Sequence, residues 1–178
     1  MGVFALDKLM AEARRLARDY RAATGRSLPI SAEIAKYDAV RLLDLKSEDR
    51  ADVGYDALGT GLRAGRTVQI KGRAIFDEHK TGQRLGQLKL DKPWDLLVVV
   101  LMDQEFEPFE IYEIGRDEVE QALRDTAGSR RKGRGALSVK RLKIVGRLVW
   151  TRERGVAAAD DGGGDGLSTS GREPRGVC

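Results

Sequence analysis

Leu96 to Met102 is an unbroken apolar run, bounded by Asp95 and Asp103. A strand alternates its side chains between two faces, so a run with no polar position must be covered on both. It is too short to cross a bilayer and has the length of a central strand. The chain is therefore expected to build a sheet with helices on both faces, an α/β arrangement. With 178 residues, 41% of them hydrophobic, there is enough chain for one domain with a real core.

Phe4 to Thr24 has the spacing of a helix. Leu6, Leu9, Met10, Ala13, Leu16, Ala17 and Tyr20 recur at three and four, an amphipathic stripe expected to face inward. Arg14, Arg15, Arg18 and Arg21 fall on other faces and read as solvated, and Gly25 stops the helix. A second helix is expected from Ser31 to Leu45, with Ser31 as N-cap and Ile34, Tyr37, Ala39, Val40, Leu42 and Leu43 buried. Lys46 to Asp52 reads as a charged connection, and Asp77 to Leu90 as a polar loop. That loop carries the only histidine, His79, which reads as solvated. Pro108 to Ile114 is a strand, and Arg116 to Asp125 is a helix with Val119, Ala122 and Leu123 inward. Leu142 to Trp150 reads as a strand with Ile144, Leu148 and Trp150 against the core.

The chemistry concentrates in one hairpin. Gly54-Tyr55-Asp56-Ala57 and Thr67-Val68-Gln69-Ile70-Lys71-Gly72-Arg73 read as two strands joined by the glycine-rich turn Gly59 to Gly65. On the second strand Val68 and Ile70 share one face, Gln69 and Lys71 the other. Asp56 is thus placed to meet Gln69 and Lys71 in a small polar cluster. The plain alternative is a turn-capping aspartate beside the wet side of a half-exposed strand.

The pattern of Asp56 followed on the next strand by Gln69-Ile70-Lys71 resembles the PD-(D/E)XK nuclease superfamily, with Gln in place of the usual acid. The wording Gly-Tyr-Asp-Ala plus Gln-Ile-Lys-Gly-Arg is similar to a bacterial subgroup of that superfamily. The resemblance covers roughly residues 31–114. It implies a restriction-endonuclease-like core, a mixed central sheet flanked by helices, and Mg²⁺-dependent phosphodiester hydrolysis of DNA, with Mn²⁺ as a possible substitute. Many members carry a glutamate on the helix before the motif strands, and Glu33 matches that place. Magnesium prefers oxygen ligands and keeps part of its shell for water and substrate. Asp56, the Gln69 amide oxygen, the Ile70 carbonyl and Glu33 would be its ligands, and the Lys71 ammonium would hold water or offset phosphate charge.

The net charge is +4, and the basic residues gather toward the C-terminus. Between Ser129 and Arg154 lie Arg130, Arg131, Lys132, Arg134, Lys140, Arg141, Lys143, Arg147, Arg152 and Arg154, against the single acid Glu153. Arg73, Arg130, Arg131, Lys132, Arg134, Lys140 and Arg141 are the expected nucleic-acid contacts. The organisation expected is one domain over 1–154, with a core near 31–125, a basic segment over 129–154 and a disordered Gly- and Ser-rich tail over 155–178. One cysteine, Cys178, leaves no internal disulfide. The absence of a phosphate-loop signature and of a Cys–His pair argues against NTP binding and thiol catalysis. The N-terminus lacks a signal-peptide pattern, so a cytoplasmic protein with no membrane partner is expected. Two rival readings stand: a non-catalytic nucleic-acid-binding module on the same core, and a partner-binding subunit docking through the 4–24 helix. A homodimer would suit a nuclease that cuts both strands.

Overall fold

The computed structural model describes residues 3–28, 30–50, 52–77, 82–127 and 137–157. Its helices are α1 (Val3–Thr24), α2 (Ser31–Leu42), α3 (Arg116–Ala127) and α4 (Val139–Val145). The strands are β1 (Lys46–Ser47), β2 (Ala57–Leu58), β3 (Thr67–Ala74), β4 (Leu96–Met102), β5 (Pro108–Gly115), β6 (Arg147–Thr151) and β7 (Gly155–Val156). They form one sheet in sequence order. The β3–β4 pair is parallel and every other pair antiparallel, so the sheet is mixed and the class is α/β. No helix among the described residues is long and apolar enough to cross a membrane.

β4 is buried along its whole length, as its composition requires. Leu96, Val98, Val100 and Met102 join one apolar layer with Ala17, Ile34, Ala35 and Ala39, beneath α1 and α2. Leu97, Val99 and Leu101 join the other with Val119, Ala122 and Leu142, beneath α3 and α4. Parallel neighbours need a long crossover, usually helical. Here the connection through residues 75–95 has no helix among its described residues. Leu85, Leu88 and Trp94 take the place of one, burying themselves in the second layer. The expected polar loop thus has an apolar underside. Arg116 clamps it, donating to the carbonyls of Leu90 at 2.5 Å and Lys92 at 2.7 Å.

Asp95 joins the starts of β3 and β4. Its carboxylate accepts from the Thr67 N–H at 2.8 Å and the Thr67 hydroxyl at 2.9 Å. These bonds hold the carboxyl below the ordinary aspartate range. A carboxyl lowered on folding stabilises the fold above its unfolded pKa, and that stability is lost as pH falls through the folded value. Asp95→Asn is therefore expected to cost about 1 kcal/mol at pH 7, discounted for exposure, with the difference shrinking below about pH 4. Urea unfolding of both proteins at pH 7 and pH 3 measures it.

Several expectations are corrected. α1 does not seat the whole of its leucine stripe. Leu6, Leu9, Leu16 and Tyr20 are 46%, 52%, 59% and 38% exposed, and Ala17 is the fully buried member. Arginine sets this rotation: Arg14, expected to be solvated, donates to both oxygens of the buried Asp38 at 2.5 and 2.6 Å, and to the Phe106 carbonyl at 3.3 Å. Arg18 reaches Glu105 at 3.1 Å, and the Arg21 guanidinium lies over the Phe76 ring at 3.4 Å.

α2 has Ile30, not Ser31, in the cap position, with no side-chain cap. It ends at Leu42 because Asp44 turns left-handed at φ 52°, which a short polar side chain tolerates. The connection after it is partly strand, β1 pairing with β2. The expected strand from 142 to 150 begins as a helix. The Ser138 hydroxyl accepts from the Arg141 N–H at 3.1 Å and caps α4, Leu142 turns inward, and Gly146 ends it. Trp150 is buried as expected, whereas Ile144 is 66% and Leu148 38% exposed. The expected tail loses its first two residues to β7, paired with β6. His79, Arg130, Arg131, Lys132, Arg134 and the remaining tail from residue 158 lie outside the described residues.

Candidate functional site

β2 is short, and the way it ends makes the site. The Asp56 N–H donates to the Val68 carbonyl at 2.8 Å, and the Asp56 carbonyl accepts from the Glu48 N–H at 3.0 Å. The ladder therefore continues one residue past β2. There the side chain takes over: Asp56 Oδ2 accepts from the Ile70 N–H at 2.7 Å. Beyond Ile70, β3 has no strand partner on this side. A residue's N–H and C=O point to the same side of a strand, so the Ile70 carbonyl faces the same opening edge.

Asp56 sits next to the Ala57–Val68 pair, with its N–H on the Val68 carbonyl and its carboxylate on the Ile70 N–H, so its two bonds bracket Gln69. Gln69 and Lys71 sit on the face of Leu97 and Val99, their partners on β4. Gln69 is 3% exposed, and its Oε1 is buried with no hydrogen-bond partner. Leaving an amide oxygen so costs about 1–3 kcal/mol unless a water, a donor or a cation meets it; Gln83 Oε1 and Arg141 Nε are unpaired in the same way. Lys71 is half-buried and forms no hydrogen bond or ion pair among the described residues. Burial pushes its ammonium below the usual lysine range; the Asp56 charge pulls it back up, and Lys89 pushes it down again.

Asp56, Ile70 and Lys71 are thus brought together, and Gln69 lies beside Ile70 on β3 with no side-chain hydrogen bond among the described residues. Glu33 is not joined to them. It is exposed in the first turn of α2, with no hydrogen bond or ion pair through its side chain among the described residues. α2 covers the Val68–Ile70 face, opposite to Gln69 and Lys71. Its first turns press on β3 at Gly72, where an added Cβ would collide with the Ala35 side chain and lie 3.0 Å from the Ser31 carbonyl. α2, which carries Glu33, therefore packs on the opposite side of the sheet from Gln69 and Lys71.

The donor set fits a divalent cation in part. One carboxylate, one orphaned amide oxygen and one edge carbonyl are oxygen ligands of the kind magnesium accepts. No group of three His, Cys, Asp or Glu side chains gathers among the described residues. With Gln69 neutral, the negative charge at the cluster comes from Asp56 alone.

The basic surface differs from expectation. Arg73 and Lys140 are exposed and have no ion pair among the described residues. Arg141 is spent on Asp125 at 2.9 Å, joining α4 to α3. Lys143 meets Glu110 at 2.7 Å, Arg147 meets Glu113 at 2.9 Å, and Arg152 meets Asp103 at 2.6 Å. Acids from β5 and the turn before it neutralise a segment that looks uniformly basic along the chain.

One feature lay outside the sequence reading. Glu113, 8% exposed, is held between Arg63 and Arg147. With Arg66, Leu62, Leu148 and Val156 they line a cleft of about 470 Å³. A signal was present: Glu113 shares its strand face with Ile111, and a carboxylate on an apolar face needs a cation.

No protein-family model matches the chain, and a search of curated proteins returns no match.

Proposed function

We propose that this protein is a metal-dependent DNA endonuclease on a restriction-endonuclease-like core, with Asp56, Gln69, Ile70 and Lys71 as its centre. The observation that carries the reading is the Asp56 carboxylate, fixed on the Ile70 N–H and acting on the charge of the half-buried Lys71, with the unpaired Gln69 Oε1 on the same strand. An unpaired amide oxygen is costly for a fold, and a carboxylate at an open strand edge is useful for a cation. Mg²⁺, or Mn²⁺ in its place, would be held by Asp56, the Gln69 amide and the Ile70 carbonyl, without Glu33. Once bound it would supply Lewis acidity and a more acidic water.

The chain's own residues do the rest. Asp56 binds and is oriented by the Ile70 N–H, which leaves its second oxygen available. Lys71, partly stripped of water, neutralises charge on a phosphate oxygen more strongly than a solvated lysine would. Arg73, two residues along the same strand face, and Lys140 contact the sugar-phosphate backbone.

The test is nicking of supercoiled plasmid in Mg²⁺ and in Mn²⁺, by wild type and Lys71→Ala. Metal-dependent nicking is expected from wild type, reduced about 100-fold or more in the variant. Equal cutting by both would remove Lys71 from the centre. Salt-sensitive DNA binding without cutting in either metal would favour the second reading, a catalytically degenerate DNA-binding module. That reading has its own support in Gln69, neutral where the resemblance expects an acid.

A further inference from the structure

Outside α1, four large hydrophobic side chains are exposed among the described residues: Leu62, Ile144, Leu148 and Val156. Three of them, Leu62, Leu148 and Val156, converge on the cleft of about 470 Å³, a volume typical of small-molecule sites. A single exposed leucine needs no explanation, but three on one concavity make an apolar wall. The rest of the lining is charged: Arg63, Arg66 and Arg147 against Glu113 alone. Glu113 is the β4 partner of Val98, so the cleft lies on the sheet face of Val98 and Ile111. Gln69 and Lys71 are on the other face, which makes this a place separate from the Asp56 cluster.

Glu113 orients the arginines without neutralising them. One of its oxygens accepts from Arg63 Nε and the other from a terminal nitrogen of Arg147 at 2.9 Å. Neither guanidinium makes another side-chain hydrogen bond among the described residues, so most donors of each fork stay open. Arg66 is exposed and makes no hydrogen bond or ion pair through its side chain among the described residues. Asp95, the acid that feels its charge, is occupied by Thr67. In the adjoining recess Glu118 is turned to the Gly115 N–H at 2.9 Å. Three cations against one carboxylate leave two positive charges in the cleft. A phosphate monoester carries nearly the opposite charge at neutral pH, and guanidinium forks match its oxygens. The apolar wall beside them suits a body with an apolar face, which a nucleoside has and an inorganic phosphate lacks. We propose that the cleft binds a nucleoside monophosphate, free or at the end of a strand. Its phosphate rests on Arg63, Arg66 and Arg147, and its base lies against Leu62, Leu148 and Val156.

Titration calorimetry of the full chain with deoxyadenosine monophosphate, in EDTA, tests the cleft. EDTA keeps metal from the Asp56 cluster, so this proposal and the endonuclease reading fail separately. The wild type is expected to bind, and Arg66→Glu to raise the dissociation constant about tenfold or more. Leu62→Ser should weaken the nucleotide while leaving the weaker binding of inorganic phosphate unchanged. Both side chains are exposed, so unchanged far-UV circular dichroism should accompany the losses. Deoxyadenosine without its phosphate should not bind. Tighter binding of an end-phosphorylated oligonucleotide than of its hydroxyl-ended counterpart would support the proposal with a strand end as the source. Equal binding of the two, beside binding of the mononucleotide, would support it with a free nucleotide. No binding of the mononucleotide up to about 5 mM would overturn the proposal, as would binding indifferent to Arg66→Glu. Binding lost in Lys71→Ala and kept in Arg66→Glu would move the phosphate to the Asp56 cluster and overturn it too.

Discussion

Arg14→Met is expected to cost the fold about 3–5 kcal/mol, because it leaves the Asp38 carboxylate buried and stripped of its bidentate partner. Asp38 is 0% exposed and Arg14 is nearly as deep. Arg41 remains, but at 3.6 Å from a solvated position. Such a loss consumes a large fraction of the stability of a domain this size. Chemical denaturation of the variant, followed by tryptophan fluorescence, measures it. The double variant Arg14→Met/Asp38→Leu should recover much of the loss, since an apolar pair of similar volume leaves no charge stranded. A single variant as stable as wild type would show that the pair contributes nothing and that α1 is held by packing alone.

Asp56→Asn should separate the site from the fold. The asparagine oxygen can still accept from the Ile70 N–H, so the hairpin should keep its register and its melting temperature within a few degrees. The negative charge is gone, however, and with it the main attraction for a divalent cation. Mn²⁺ affinity by titration calorimetry is expected to fall about 100-fold or more, and nicking with it under the proposed function. The change also reaches Lys71. Asp56 is the group that pulls the Lys71 ammonium upward against burial. Removing it should lower that group further, so any residual activity should shift its basic limb to lower pH. Unchanged Mn²⁺ binding would place the cation elsewhere or nowhere.

The parts of this fold that were readable in advance are those where one physical demand dominates. β4 could only be a doubly covered strand, since it has no polar position to turn outward. The Asp56–Lys71 part of the cluster followed from period-two alternation across a short turn. What escaped is what depends on partners distant in sequence. α1 has two candidate inner faces by periodicity. The choice fell to Arg14, whose partner Asp38 sits on another helix. Much of the basic look of 139–154 is offset by acids from β5, the turn before it and α3. The start of α4 was set by a serine hydroxyl, a local device that an apolar count over 142–150 passes over. Glu33 was placed correctly at a helix start, but which side of the sheet that helix covers is a topological fact that no residue type announces.

The sheet has its strands in sequence order and a single parallel seam, between β3 and β4. β5 and β6 pair across the long 116–146 connection, but the β1–β2–β3 and β4–β5 hairpins are built from near neighbours and can form quickly from local contacts. The seam cannot, since its two strands must find each other across the 75–95 connection before any of its bonds reward the closure. That meeting, like the β5–β6 pairing, is a closure that purely local contacts cannot speed. It is also the event that assembles the cluster's surroundings, because Gln69 and Lys71 acquire their β4 neighbours only when the seam zips. A refolding chain should regain its hairpins before its candidate site.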